Sequence, residues 1–300
     1  MSNYLYKAYG LKISSPVPLA ALPPASGQPD VRVSVNNRFV PSHSEQAHDW
    51  TYRIDRSQAE IRHPKLCSFR IREGRRVEIE AVPEFDDQFL QVYLVGLIMA
   101  VVLYQRSYFV LHASAAELET GAIAFLGHTG AGKSSLVASL HRRGARILAD
   151  DNTALDLTSS TPIVIPGFPE LKVLPEIAAS LGYEAESLRR FHPALRKMGC
   201  SIEAGYSANP IRLRRMYVLS RAAEQPVSLI GRQEAVIQLV RHSMPSRIGV
   251  KAGADHLLQC SQVAEAVPMY LIKTFDSLDE ISALAKLVED HLANDELVLT

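Results

Sequence analysis

Gly127-His128-Thr129-Gly130-Ala131-Gly132-Lys133-Ser134 fits the pattern G-x-x-x-x-G-K-[ST] at every fixed position. Glycines let a backbone come close to a phosphate and turn successive N–H groups toward it. A helix starting at the end of such a loop adds the positive end of its dipole. The flanks agree. Ala122-Ile123-Ala124-Phe125-Leu126 reads as a buried strand, and the chain from Lys133 to about Arg143 reads as a helix. Gly144 then supplies a left-handed cap. Ala145 to Ala149 is the next strand, and strand, loop, helix, strand is the rhythm of an α/β nucleotide-binding core.

The residue types divide the chemistry. The nucleotide phosphates would lie on Gly127, His128, Thr129, Gly130, Ala131, Gly132, Lys133, Ser134 and Ser135. Lys133 would reach the β- and γ-phosphates, and Ser134 would hold Mg²⁺. The strand Ile147-Leu148-Ala149 ends in Asp150-Asp151. One acid at such a strand end serves the metal in P-loop proteins. A second, adjacent acid is free to accept a proton from an attacking hydroxyl, unless it only caps a turn or faces solvent. His112 lies upstream on a strand expected beside the one entering the loop, as a core histidine or as a partner for an acid or the γ-phosphate.

Outward from this centre, residues 1 to about 82 read as β-rich. Val31 to Val35, Phe69 to Arg72 and Val77 to Ala81 alternate with period two, Glu73-Gly74 is a candidate hairpin turn, and Pro23 to Pro29 marks a loop. Asp86 and Asp87 then open an apolar segment ending near Arg106. Its longest uninterrupted run, Val92 to Tyr104, is 13 residues, short of the roughly 20 of a membrane span, so a buried helix is expected. Tyr108 to Glu117 is expected as one strand, turning at Glu119-Thr120-Gly121. Downstream, residues 175 to 210 carry few strand signals. Arg212 to Leu219, Val227 to Ile230 and Val267 to Ile272 read as strands, and Gln233 to Arg241 and Asp255 to Ala266 as helices. Ser277-Leu278-Asp279-Glu280 has the form of a capping box before a closing helix with its apolar stripe at Ile281, Leu284, Leu287, Val288 and Leu292.

Composition removes whole classes of function. Basic and acidic side chains number 32 each, so the chain has no net charge to draw it broadly onto nucleic acid or an anionic membrane. The three cysteines, Cys67, Cys200 and Cys260, are far apart and form no CxxC, which suggests neither a disulfide framework nor a zinc ribbon. The N-terminus lacks the pattern of a secretory signal, and a cytoplasmic location is expected.

The set His112, Gly127 to Ser134, the helix closing at Arg143-Gly144, and Asp150-Asp151 resembles the HPr kinase/phosphorylase family, including the intervals between the elements. The resemblance implies a protein-serine kinase using ATP and Mg²⁺. In it Asp150 is the catalytic acid/base, Asp151 an Mg²⁺-site acid and His112 an active-site histidine, with Lys133 on the phosphates. The family's downstream E-x-R-G-x-G signature is missing, and Pro166 to Lys172 stands in its place. Glu170 and Lys172 are there as candidate substrate contacts, or the stretch is a plain loop. Arg196, Lys197 and Arg241 are further candidate cations. The whole-chain layout is similar to HPr-kinase-like proteins found with ribosomally made peptides, some of which look like lasso-peptide tailoring kinases.

The expected fold class is therefore α/β, a P-loop kinase core with a mixed sheet and flanking helices. A smaller β-rich N-terminal domain, 1–84, precedes a kinase domain, 85–300, that includes the buried helix 86–106. The expected function is transfer of the γ-phosphoryl group of ATP, with Mg²⁺, to a serine of a peptide or protein. Nucleic acid and membrane are excluded as partners, and a homo-oligomer is left open. A nucleotide-dependent switch module and a small-molecule kinase are the alternatives. The doubled Asp150-Asp151 speaks against the switch, which needs only a metal acid.

Overall fold

In the computed structural model, the described residues are 3–36, 38–41, 49–248, 250, 253–274, 277 and 280–296. The N-terminal region forms a sheet in the spatial order Tyr4–Ala8, Leu11–Ser15, Val31–Asn36, Arg76–Ala81, Cys67–Arg72, Gln58–His63, Thr51–Ile54. Alternation sets its faces. Val31, Val33, Phe69, Ile71, Val77 and Ile79 are buried, while Arg32, Arg72 and Arg76 between them are exposed. The expected hairpin is present. Glu73 and Gly74 both have positive φ, 52° and 59°, and Arg75 N–H donates to Arg72 O, the geometry of a primed turn.

The apolar segment is one helical run, Asp87–Gln105, with a π turn over Leu94–Ile98. Asp86 caps it, its carboxylate accepting from Gln88 N–H at 2.6 Å. By length and composition this helix could cross a membrane. Here it packs instead in one apolar cluster with the N-terminal sheet, and Val101, Val102 and Leu103 have no exposure. The same cluster reaches Val110, Ala154 and Ile165 of the second sheet.

That second sheet is mixed. Its main path runs Arg146–Ala149, Ser114–Leu118, Gly121–Leu126, Ile211–Ser220, Ile163–Ile165, Thr153–Asp156, Phe109–Leu111. Met269–Lys273 pairs parallel with Ile211–Ser220, which is itself parallel to Gly121–Leu126. Ile123 and Phe125 face a cluster with helices Lys133–Arg142 and Glu280–Glu296. Ala122, Ala124 and Leu126 face another with Arg232–His242 and Ala254–Ala266. Helices on both faces explain why the loop strand reads as a continuous apolar run. The closing helix buries Ile281, Leu284, Val288 and Leu292 as expected; positions 278 and 279 of the capping box lie outside the described residues.

Two expectations change. The single strand over Tyr108 to Glu117 breaks into Phe109–Leu111 and Ser114–Leu118, because His112 N–H donates to His242 O and Ala113 O accepts from Thr153 Oγ1, drawing the backbone out of the ladder. The stretch left open as a plain loop contains a strand, Glu170–Val173, which pairs with Met198–Ser201 and, through it, lies in one small sheet with Leu188–Arg190. The three cysteines are buried and free.

Candidate functional site

The strand Gly121–Leu126 delivers the chain into the loop, and the helix Lys133–Arg142 carries it away. Gly127 has φ 148°, and a Cβ there would stand 3.0 Å from Ala131 Cβ and 3.1 Å from Leu219 O, so the close turn requires glycine. Thr274 Oγ1 donates to Ala131 O at 2.8 Å and ties the loop to the end of a neighbouring strand. His128, Thr129 and Gly130 form an exposed crest. Lys133 is buried, its ammonium donating to Gly127 O at 2.7 Å and His128 O at 3.1 Å. Burial, reinforced by repulsion from Lys197, lowers its pKa to about 8.

Ser114–Leu118 lies between the loop strand and the strand Arg146–Ala149, so the two carboxylates at the end of the latter come beside the loop. Asp150, 6% exposed, is bonded through both oxygens: Oδ1 accepts from Ser114 Oγ at 2.6 Å and Ser134 Oγ at 2.9 Å, and Oδ2 from Lys172 N–H at 2.8 Å. The next residue reverses the chain. Asp151 has φ 69°, and Asn152 N–H donates to Asp150 O at 2.9 Å, closing a strained three-residue turn. His112 Nδ1 is 2.9 Å from Asp151 O and 3.3 Å from Asp151 Oδ1. Both partners accept, so Nδ1 carries the proton.

Asp151 is more accessible than Asp150, with 22% of its side chain exposed, and is surrounded by cations. Lys172 Nζ lies 3.0 Å from Oδ2 and Arg247 Nη2 3.5 Å from Oδ1. Burial alone would raise its pKa; Lys172, the His112 hydrogen bond and Arg247 outweigh burial and hold the carboxyl well below the usual range. For Lys172, burial pulls the other way from Asp151, Asp150 and Glu170, and the acids win, raising its pKa. Glu170 is buried, with Oε2 2.6 Å from Arg189 Nη2 and Oε1 without a hydrogen-bond partner; burial raises its pKa despite Arg189.

Sequence reasoning placed His112, Lys133, Ser134, Asp150, Asp151, Glu170 and Lys172, and the structure brings them together. It does not bring in Arg196, whose exposed guanidinium pairs with Glu176 at 3.1 Å, and Arg241 is an exposed residue of the helix Arg232–His242. The expected metal pair, Ser134 with Asp151, is also not the observed contact, since Ser134 meets Asp150. Four participants were missed. Ser114 lies one period-two step beyond His112, a signal that was there to use. Arg247 and Tyr9 come from remote stretches with no local mark, and Asn152, next to the acids, is marked only by the long-range contacts that the fold gives it. Asn152 Nδ2 donates to Gly96 O in the π turn at 2.9 Å, and its own carbonyl accepts from Tyr9 Oη at 3.1 Å.

No protein-family model matches the chain, and no curated protein matches it. Among solved structures it is similar to the HPr(Ser) kinase/phosphatase from Coxiella burnetii, at 12% identity and a TM-score of 0.35, over 62% of this chain and 98% of that one.

Proposed function

We propose that this chain is a kinase that transfers the γ-phosphoryl group of ATP to the serine hydroxyl of a peptide or protein. The observation that carries the reading is the contact of Ser134 Oγ with Asp150 Oδ1 at 2.9 Å, at the foot of a glycine-rich loop that opens a helix. A hydroxyl and a carboxylate are the hard oxygen donors Mg²⁺ prefers. Ser134 and Asp150 would hold Mg²⁺, which when bound neutralises phosphate charge. This exchanges the roles that the sequence assigned to the two acids.

Lys133 leaves the carbonyls of Gly127 and His128 for the phosphate oxygens. Asp151, the more accessible acid, orients the acceptor hydroxyl and takes its proton, while His112 fixes the turn that presents it. Lys172 and Arg247, already beside Asp151, place positive charge where the transferred group gains negative charge. A lasso-peptide precursor, the narrower acceptor, rests on the sequence resemblance alone. Incubation with γ-labelled ATP, Mg²⁺ and serine peptides, read by mass spectrometry, should give a gain of one phosphate on serine. ATP binding with no transfer to any peptide would favour the switch module, and transfer only to free small hydroxyl compounds the small-molecule kinase.

A further inference from the structure

The N-terminal sheet carries a cleft of about 510 Å³ at the end that bears the Glu73-Gly74 turn. It is lined by Arg32, Arg72, Arg75, Arg76 and Arg106, against only two carboxylates, Asp30 and Glu73. The strand register makes this more than a loose cluster. Arg32 pairs with Arg76, and Arg76 with Arg72, so three guanidinium groups stand side by side on one exposed face of adjacent strands. Like charges directly opposite each other destabilise a sheet. Arg72 is relieved in part by Glu78 at 3.8 Å, and Arg106 is spent on Gly74 O at 3.1 Å. Among the described residues Arg32, Arg75 and Arg76 form no ion pair, although Asp30 and Glu73 line the same cleft.

We propose that this cleft binds an acidic stretch of a peptide and, resting on the kinase reading above, that the stretch belongs to the peptide substrate. The spacing favours a ligand with several carboxylates. Neighbouring strands lie about 4.8 Å apart, so the row Arg32–Arg76–Arg72 spans roughly 10 Å, more than one phosphate or carboxylate can bridge. Arginine forks suit carboxylates, and no aromatic side chain lines the cleft to stack a base. The cleft also has a fixed relation to the site. Arg106 follows the helix whose Gly96 holds Asn152, and ten residues of helix put about 15 Å between them. An extended chain covers that in about five residues, so the acidic stretch lies at least that far from the acceptor serine.

The test uses the full chain without nucleotide and a fluorescein-labelled hexaglutamate peptide, read by anisotropy. At low salt the peptide binds, salt weakens it, and the triple variant Arg32→Gln, Arg75→Gln, Arg76→Gln lowers affinity at least tenfold without lowering the melting temperature, since it removes like charges from facing strand positions. The matching triple Lys variant retains binding. Absence of binding at low salt, or equal binding by the Gln variant, overturns the proposal. So does tighter binding of single-stranded hexanucleotide RNA through the same arginines. Lys133→Ala should bind the peptide normally, so a failure of the kinase reading stays distinguishable from a failure of this one. In a transfer assay, the Gln variant should raise KM only for serine peptides that carry the acidic stretch.

Discussion

Lys133 bonds carbonyls five and six residues away in its own loop, whereas Asp151 and Asn152 are held by residues 21 to 143 positions distant. The loop side of the site takes its shape from glycines and the helix that follows them. The acid side is a strained turn, fixed by His112 from the break between two strands, Lys172 from a strand of the small sheet, Gly96 from the long helix, Arg247, and Tyr9 from the first hairpin. A left-handed Asp151 costs on the order of 1–3 kcal/mol, which only such surroundings can offset. One side of the site is therefore a motif, and the other is a product of the whole fold.

The strongest way to break this comparison is at the loop. Lys133→Ala removes the ammonium that the proposed kinase would set on the phosphates, and turnover should then fall on the order of a hundred- to a thousandfold, with weaker ATP binding. Nucleotide affinity by calorimetry checks it, and unchanged affinity would remove the loop from the site. Next comes the pair of acids. Asp151→Asn should cost about a hundredfold or more in transfer while sparing ATP affinity. Asp150→Asn should instead raise the Mg²⁺ concentration needed for half-maximal activity. The reverse outcome would restore the division read from the sequence.

A gentler probe sharpens the loop side. Lys133, lowered by burial to about 8, is charged below that pH in the free protein and neutral above it. Affinity for ATP is thus present below pH 8 and falls as pH rises through it, by up to about tenfold per unit. Lys133→Arg should flatten that profile between pH 7 and 9.5, because guanidinium does not titrate there. A wild-type profile already flat over this range would mean that the ammonium does not carry the phosphate contact.

The same contrast explains what the sequence disclosed. Gly127 to Ser134, the flanking strand and helix, and Asp150-Asp151 are legible because each depends on neighbours in the chain: an apolar run, a glycine at positive φ, acids at a strand end. The alternation of Phe69 to Arg72 and Val77 to Ala81 was legible for the same reason. Glu170–Val173 was not, since its strand exists only through pairing with Met198–Ser201, and nothing local distinguishes it from a loop. The break at His112-Ala113 depends on the His242 carbonyl and the Thr153 hydroxyl. Arg196 and Arg241 looked like equals of Lys172 because charge type is visible in a sequence and distance is not.

Tyr9 offers the smallest effect and the most direct test of the acid side. It sits at φ 52° beside Gly10 at the tip of the first hairpin, almost fully buried, its ring against Gly167 and edge-on to Phe168. Its backbone N–H donates to Gly167 O, and its hydroxyl to Asn152 O at 3.1 Å. Tyr9→Phe keeps the ring and removes only that hydroxyl, at a stability cost of about 1 kcal/mol by denaturant titration. If the hairpin steadies the acid turn, kcat should also fall a few-fold while KM for ATP holds, because the loop side is untouched. A loss of stability with kcat unchanged would make the hairpin a packing contact and leave the turn to His112 and Lys172. The two readouts therefore separate a fold that holds the acids from a fold that merely covers them.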